Sequence, residues 1–364
     1  MLRSVRAALV RLCCAPFLPA VPVFLEDLPM TSVRSFMDHH YLHFNSREVV
    51  DAAKAYEAHI KAGGKMLVSL AGAMSTARLG RILGRAIRAG LVHGISCTGA
   101  NLEEDIFNLL AANDYKIIPD WRSLRAEDEQ ALYDQGYNRV TDTCIPETIM
   151  RHLEERLIGI WSKACVDGTR KFESEYLFDV LGDPSLEQHY QIPKTDSWML
   201  AAKEMGIPVY SPGWEDSTTG NMFTAAVWRG AVGHHQCVKS GTEQLDSLMR
   251  WYLDASGYNA MKLAGKSKLD APSVGFFQVG GGIAGDFAIC AVPTMVQDLQ
   301  MEDCPFWGYF AQISDAVTSY GGYSGAVPNE KITWGKLEVG TPKFMVQSDA
   351  TIVAPLIFAY LLGD

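Results

Sequence analysis

Near the C-terminal end of the chain, Glu330-Lys331-Ile332-Thr333-Trp334-Gly335-Lys336-Leu337 follows the glycine-rich run Tyr320-Gly321-Gly322-Tyr323-Ser324-Gly325. A lysine beside a tryptophan, entered through glycines and preceded by a carboxylate, can be held out of water. Desolvation lowers the pKa of such an amine towards the range where it is nucleophilic. Lys336 is therefore a candidate imine-former. Taken alone, the stretch favours a plainer reading, with Trp334 as a core anchor and Lys336 as a surface lysine on a buried stem. The elements that position these residues have to decide between the two.

The chain has 364 residues, 48% apolar and 20% charged, enough to bury a large core. Its net charge of -10 argues against general binding to nucleic acid or anionic membranes and suits small cations such as polyamines. Eight scattered cysteines without CxxC spacing read as the reduced thiols of a cytoplasmic enzyme, not as a disulfide frame or zinc site. No apolar run is long enough to span a membrane. Residues 1–29 are different in kind. Arg3, Arg6 and Arg11 precede the first acid, Glu26, and Pro16, Pro19 and Pro22 interrupt an apolar stretch. The segment reads as a leader or a gene-model extension ahead of Met30. His39, His40 and His43 lack the adjacent carboxylate pattern of a metal helix and read as solvated groups, so no metal site is expected.

Short apolar runs at 65–71, 91–97, 207–211, 273–279, 306–313 and 343–347 alternate with helical patterns. Those patterns cover 46–61, 76–89, 147–164 and 196–205, and follow residues 98, 280 and 348. The alternation predicts an α/β fold in which residues 30–364 form one large domain around a mainly parallel, doubly wound sheet. Residues 115–145 are polar and irregular, an excursion from that sheet. A ligand site belongs where strands end and helices begin, at Gly72-Ala73 and Thr98-Gly99. Three further features have both a structural and a functional reading. Glu103-Glu104-Asp105 complements a helix dipole or grips a ribose. Pro212 to Asn221 is a turn with an N-cap or a polar site loop. Gly280-Gly281-Gly282 is a tight turn or a place where backbone N–H groups approach a phosphate.

Set side by side, these segments resemble the deoxyhypusine synthase family, most specifically at Pro328-Asn329-Glu330-x-x-x-Trp334-Gly335-Lys336. The resemblance implies a Rossmann-like NAD-binding fold and a homotetramer with active sites at subunit interfaces. It also implies a reaction in which an aminobutyl group of a polyamine such as spermidine is oxidised with NAD and held as a lysine imine. The group then passes to an acceptor amine, either a lysine of a translation factor or a small amine in the homospermidine synthases. By the same resemblance Lys336 is the imine-forming lysine, Trp334 the aromatic that packs on the amine, and Glu330 an acid for its ammonium end. Thr98, Glu104, Asp216, Gly281, Gly282, Ser324, Ser348 and Asp349 match positions on the cofactor side.

The departures fall mostly on the amine side. Gly72 or Ala73 stands where the family has asparagine, Asn221 and Tyr323 where it has aspartates, and Asp286 where it has histidine. Losing carboxylates weakens the hold on the usual polyamine, while Asp286 and the Tyr323 ring offer a different one. The expected activity is an NAD-dependent aminoalkyl transferase with a pocket re-sited around Asp286, Asn221 and Tyr323 for a small acceptor amine. The alternatives are modification of a protein lysine and a catalytically silent NAD-binding relative that regulates a partner.

Overall fold

The computed structural model describes residues 32–317 and 321–364. The expected leader, residues 1–29, and Tyr320 lie outside the described residues. The strands are β1 (Met66–Leu70), β2 (Gly94–Cys97), β3 (Lys116–Ile117), β4 (Tyr137–Val140), β5 (Thr143–Pro146), β6 (Val209–Tyr210), β7 (Gly275–Val279), β8 (Tyr309–Ser314) and β9 (Lys343–Gln347). Six of them form one sheet in the order β6-β2-β1-β7-β8-β9, and every neighbouring pair is parallel. Counted along the chain within that sheet, the order is 3-2-1-4-5-6, the doubly wound arrangement of dinucleotide-binding domains. Winding reverses between β1 and β7, which opens a crevice at their carboxyl ends. The excursion at 115–145 is a separate antiparallel sheet, β3-β5-β4.

The expected apolar runs become the strands of the main sheet because both faces are covered, which removes the polar alternation of a half-exposed strand. Met66, Val68, Leu70, Phe277, Val279, Tyr309, Ala311 and Ile313 enter one core cluster, while Leu67, Phe276 and Phe310 enter another. This is the two-residue period of a strand with a helical layer on each side. Among the described residues no helix is long and apolar enough to cross a membrane. His39, His40 and His43 are exposed, and Cys97, Cys144, Cys165, Cys237, Cys290 and Cys304 are free thiols.

Some elements differ from expectation for local reasons. The helix expected through Met295 is Gly282–Ile289, followed by the short pieces Ala291–Pro293 and Thr294–Asp298. Pro293 has no N–H to give the Ile289 carbonyl, and Trp307 Nε1 donates to that oxygen instead at 3.1 Å. The loop at 212–221 already contains the start of a helix, Thr218–Trp228. Ser217 caps it through Gly220 N, and Glu103 accepts from Thr218 N at 2.9 Å and Thr219 N at 2.7 Å. One acid of the Glu103-Glu104-Asp105 trio thus caps a neighbouring helix and does not serve its own helix dipole. Helix Gly241–Ala255, which the sequence reading did not anticipate, brings Gln244 to the same loop.

Gln244 Oε1 accepts from Ser211 N at 2.8 Å, and its Nε2 donates to Glu173 Oε2 at 3.2 Å. Glu173 is buried, and that burial pushes its carboxyl from 4.5 up to about 8. A carboxyl raised in this way is protonated in the fold and ionised in the unfolded chain. Its contribution is therefore complete below about pH 4.5 and is lost as pH rises through about 8. Glu173→Gln is expected to flatten the fall in melting temperature between about pH 6 and pH 9. Thermal melts across that range check this, and an unchanged slope would refute it.

Candidate active site

A cavity of about 410 Å³ is lined by Asp286, Cys290, Gly321, Gly322, Tyr323, Ala326, Glu330, Lys331, Trp334 and Lys336. Five of the six residues singled out for the amine and its capture therefore share one space. Asn221 does not line it: its amide donates to Glu215 O at 3.1 Å and Ser217 O at 2.6 Å, bracing the turn before its own helix. The plain reading of the Trp334-Gly335-Lys336 stretch is inverted, because Trp334 is 66% exposed and Lys336 is 6% exposed. Gly335, at φ +66°, reverses the chain between them so that the tryptophan points out and the lysine in.

Lys336 Nζ donates to Asp286 Oδ1 at 3.0 Å. It also lies 5.4 Å from the Tyr323 ring centre and 5.9 Å from that of Trp334, within reach of both ring faces. Asp286 belongs to helix Gly282–Ile289, and its side chain is about half exposed. The same Oδ1 accepts a weak bond from Cys290 Sγ, one turn on, at 3.5 Å. Burial pushes the Cys290 thiol up, with the Lys336 charge opposing that shift.

Two glutamines fix the loop that forms the cavity roof. Gln278 in β7 and Gln312 in β8 are register partners, both fully buried on the Phe276 and Phe310 face of the sheet. Gln278 Oε1 accepts from the Tyr323 hydroxyl at 2.6 Å, and Gln312 Nε2 donates to Ser324 O at 2.6 Å. Ser324 Oγ in turn accepts from Gly282 N at 3.0 Å. A side chain at Gly281 would put its Cβ 2.1 Å from Ser324 Oγ, so only glycine permits this approach.

The cofactor candidates gather along the carboxyl edge of the main sheet. Thr98 follows β2, Asp216 lies on the loop after β6, Gly281 and Gly282 follow β7, Ser324 lies beyond β8, and Ser348 and Asp349 follow β9. Thr98 donates to Gly72 O at 2.7 Å and caps helix Gly99–Ala111, whose buried inner face carries Glu104. Burial pushes Glu104 up to about 7, and its Oε2 has no partner among the described residues. Asp349 caps helix Ala350–Leu362 through Thr351 N at 2.7 Å. Asp216 is exposed.

Gln278, Gln312, Cys290 and Lys331 were missed in the sequence. The glutamines left a signal, a polar side chain inside an otherwise apolar strand. Lys331 left none, since a charged residue beside Glu330 reads as solvated surface. It is 2% exposed, and burial first, with the Lys336 charge second, lowers its ammonium from 10.5 to about 8.

A family model described as deoxyhypusine synthase matches residues 36–361. A deoxyhypusine synthase-like protein of Nostoc sp. is 30% identical over 357 residues, covering 93% of this chain and 84% of its own. One of the same name from Cyanothece sp. is 29% identical over 348 residues, covering 92% and 80%. A solved protein from Entamoeba histolytica, assigned as a deoxyhypusine synthase, superposes over 88% of each chain with a TM-score of 0.51 at 13% identity, a likeness of fold. With a match across nearly the whole described length and the doubly wound sheet beneath it, the chain belongs to the deoxyhypusine synthase family.

Proposed function

We propose that the protein is an NAD-dependent aminoalkyl transferase. It takes an aminobutyl group from a polyamine, holds it as an imine on Lys336 and delivers it to a small acceptor amine. The observation that carries this reading is the Lys336 ammonium, buried in a cavity with aromatic faces and hydrogen-bonded to Asp286 at 3.0 Å. Imine formation requires Lys336 Nζ to lose a proton. Asp286 Oδ1 is placed to accept it, and the half exposure of that carboxylate gives the proton a route to water. The neutral amine then attacks the oxidised carbon of the donor, and the first amine leaves. The acceptor amine displaces Lys336 by the reverse of the same exchange.

NAD, when bound, supplies oxidation of the donor carbon–nitrogen bond and reduction of the product. The residues present fit such a group. Glu104 Oε2 is a buried acceptor without a partner among the described residues and suits a ribose hydroxyl, and nothing lies within 4 Å of where a Cβ at Gly282 would stand, which leaves that helix start open to close approach. Thr98, Asp216, Ser324, Ser348 and Asp349 complete the rim of that edge. Trp334 and Glu330 stand exposed at the cavity, which suits a homotetramer in which a second subunit closes the site. The same exposure favours, as a second reading, a protein lysine entering as acceptor.

Borohydride added during incubation with NAD and spermidine is expected to fix an aminobutyl mass on the peptide containing Lys336. Lys336→Ala is expected to abolish that adduct and lower turnover on the order of a thousandfold or more. Full turnover by the alanine variant would sink the mechanism, and bound NAD without amine-dependent NADH absorbance would favour the silent reading.

Glu104→Gln is expected to weaken NAD binding by about tenfold or more, the loss of one charge-assisted hydrogen bond. Titration of the bound nucleotide by fluorescence checks this, and unchanged affinity would remove Glu104 from the cofactor site.

A further inference from the structure

Outside the cavity that holds Lys336, two thiols and an imidazole meet where the end of helix Glu147–Asp167 packs against the turn His235–Cys237. Cys165 Sγ lies 3.4 Å from His234 O and 3.6 Å from His234 Nδ1. Cys237 Sγ lies 3.5 Å from the same His234 O. Both sulfurs therefore gather on one carbonyl oxygen. Gly233 brings the chain alongside the helix, since a Cβ there would stand 3.6 Å from Cys165 Cβ.

The two sulfurs differ in access. Cys165 is partly exposed and His234 is exposed, whereas Cys237 is 1% exposed. Burial first, with the neighbouring Cys165 thiol second, pushes the Cys237 thiol from 9.0 up to about 12. Cys237 therefore stays protonated at neutral pH and is shielded from an oxidant in solution. Its backbone is held in place: Lys171 N and the Tyr176 hydroxyl donate to Cys237 O at 3.1 and 2.8 Å, and Arg170 Nε donates to Gln236 O at 2.8 Å. A reachable thiol beside a base, with a second thiol behind it on a fixed backbone, is the arrangement that suits reversible oxidation by peroxide.

We infer that Cys165, Cys237 and His234 form a dithiol redox site, in which hydrogen peroxide oxidises Cys165 and Cys237 then closes a reversible disulfide. In the first step the Cys165 thiol gives its proton to His234 Nδ1, and the sulfur attacks one peroxide oxygen. The oxygen–oxygen bond breaks, the departing hydroxide takes the proton from His234 and leaves as water, and Cys165 is left as a sulfenic acid. In the second step the Cys237 sulfur attacks the Cys165 sulfur. The sulfur–oxygen bond breaks as the sulfur–sulfur bond forms, and the hydroxyl leaves with the Cys237 proton as a second water. Together the thiols lose two electrons and two protons, and one peroxide becomes two waters. The bridge joins the end of helix Glu147–Asp167 to the segment leading into helix Gly241–Ala255, and a thiol reductant opens it by exchange.

The test is peptide mass mapping of the full-length protein after treatment with hydrogen peroxide, digested without reduction. A linked pair of peptides carrying Cys165 and Cys237 is expected, and dithiothreitol is expected to release it. Cys237→Ser is expected to stop the oxidation at Cys165, where dimedone captures the sulfenic acid, and Cys165→Ser is expected to leave Cys237 unmodified. His234→Gln is expected to slow bridge formation by about tenfold or more. Circular dichroism establishes that each variant folds, and Cys237→Ala takes the place of serine where a buried hydroxyl prevents folding. Absence of the linked peptides from the oxidised protein overturns the proposal. So does dimedone captured at other cysteines but not at Cys165 in the folded Cys237 variant. A folded His234→Gln protein that forms the bridge at the unaltered rate overturns the role of His234 as the base.

Discussion

The site depends on two glutamine side chains buried at matched positions in adjacent strands. Gln278 and Gln312 are register partners in a sheet whose faces are mainly apolar. A buried amide that lacks partners costs about 1–3 kcal/mol, so each must find hydrogen bonds nearby. The loop above supplies them in part: Gln278 Oε1 takes the Tyr323 hydroxyl and Gln312 Nε2 holds the Ser324 carbonyl, while Gln312 Oε1 has no partner among the described residues. A one-residue slip between β7 and β8 would turn these side chains to the opposite face and release the loop. Strand register and cavity geometry are therefore the same constraint seen from two sides.

The consequence reaches Lys336 through Tyr323 and the helix beside it. Gly285 lets the tyrosine ring and the Gln278 amide pack against helix Gly282–Ile289, since a Cβ there would lie 2.9 Å from Gln278 Oε1 and 3.0 Å from Tyr323 Cε1. Asp286, the next residue, is then set beside Lys336. The ion pair is unequal, with the Lys336 side chain 8% exposed and that of Asp286 48%. A charge held inside by a partner that still touches water avoids most of the desolvation cost of a fully buried pair. It also lets a proton leave without crossing the core.

Much of the fold was legible because the main sheet is buried on both faces. Near-continuous apolar runs mark its six strands, and Lys343–Gln347 agrees to the residue. Strand order was not legible, because nothing local distinguishes 3-2-1-4-5-6 from other parallel orders. The short ends were misjudged where one residue decides: Pro293 ends a helix early, and Ser217 with Glu103 starts one inside an apparent loop. In the site, the pattern around Trp334 and Lys336 was visible, but which of the two was buried was not. That is set by the positive φ of Gly335, a property of the backbone path. Lys331 was invisible for a related reason, since four residues of helix are too few to show a face, and its burial comes from Phe310 and Tyr323, which lie outside its own helix.

The two halves of the site are built in different ways, and this bears on which of them can change. The cofactor candidates sit on strand ends and helix starts, where Gly281, Thr98 and Asp349 also maintain turns and caps, so substitution there disturbs the fold as well as the ligand. The amine side is carried by one turn of helix, a glycine loop and a helix flank, and its side chains meet mainly through rings and single ion pairs. Charges can be exchanged there with little effect on the sheet. Asp286 lies on this permissive side together with Lys331, whereas Tyr323 is tied through its hydroxyl to Gln278 in the sheet. A scaffold divided in this way can keep Lys336 in place while the charge pattern around it is rewritten.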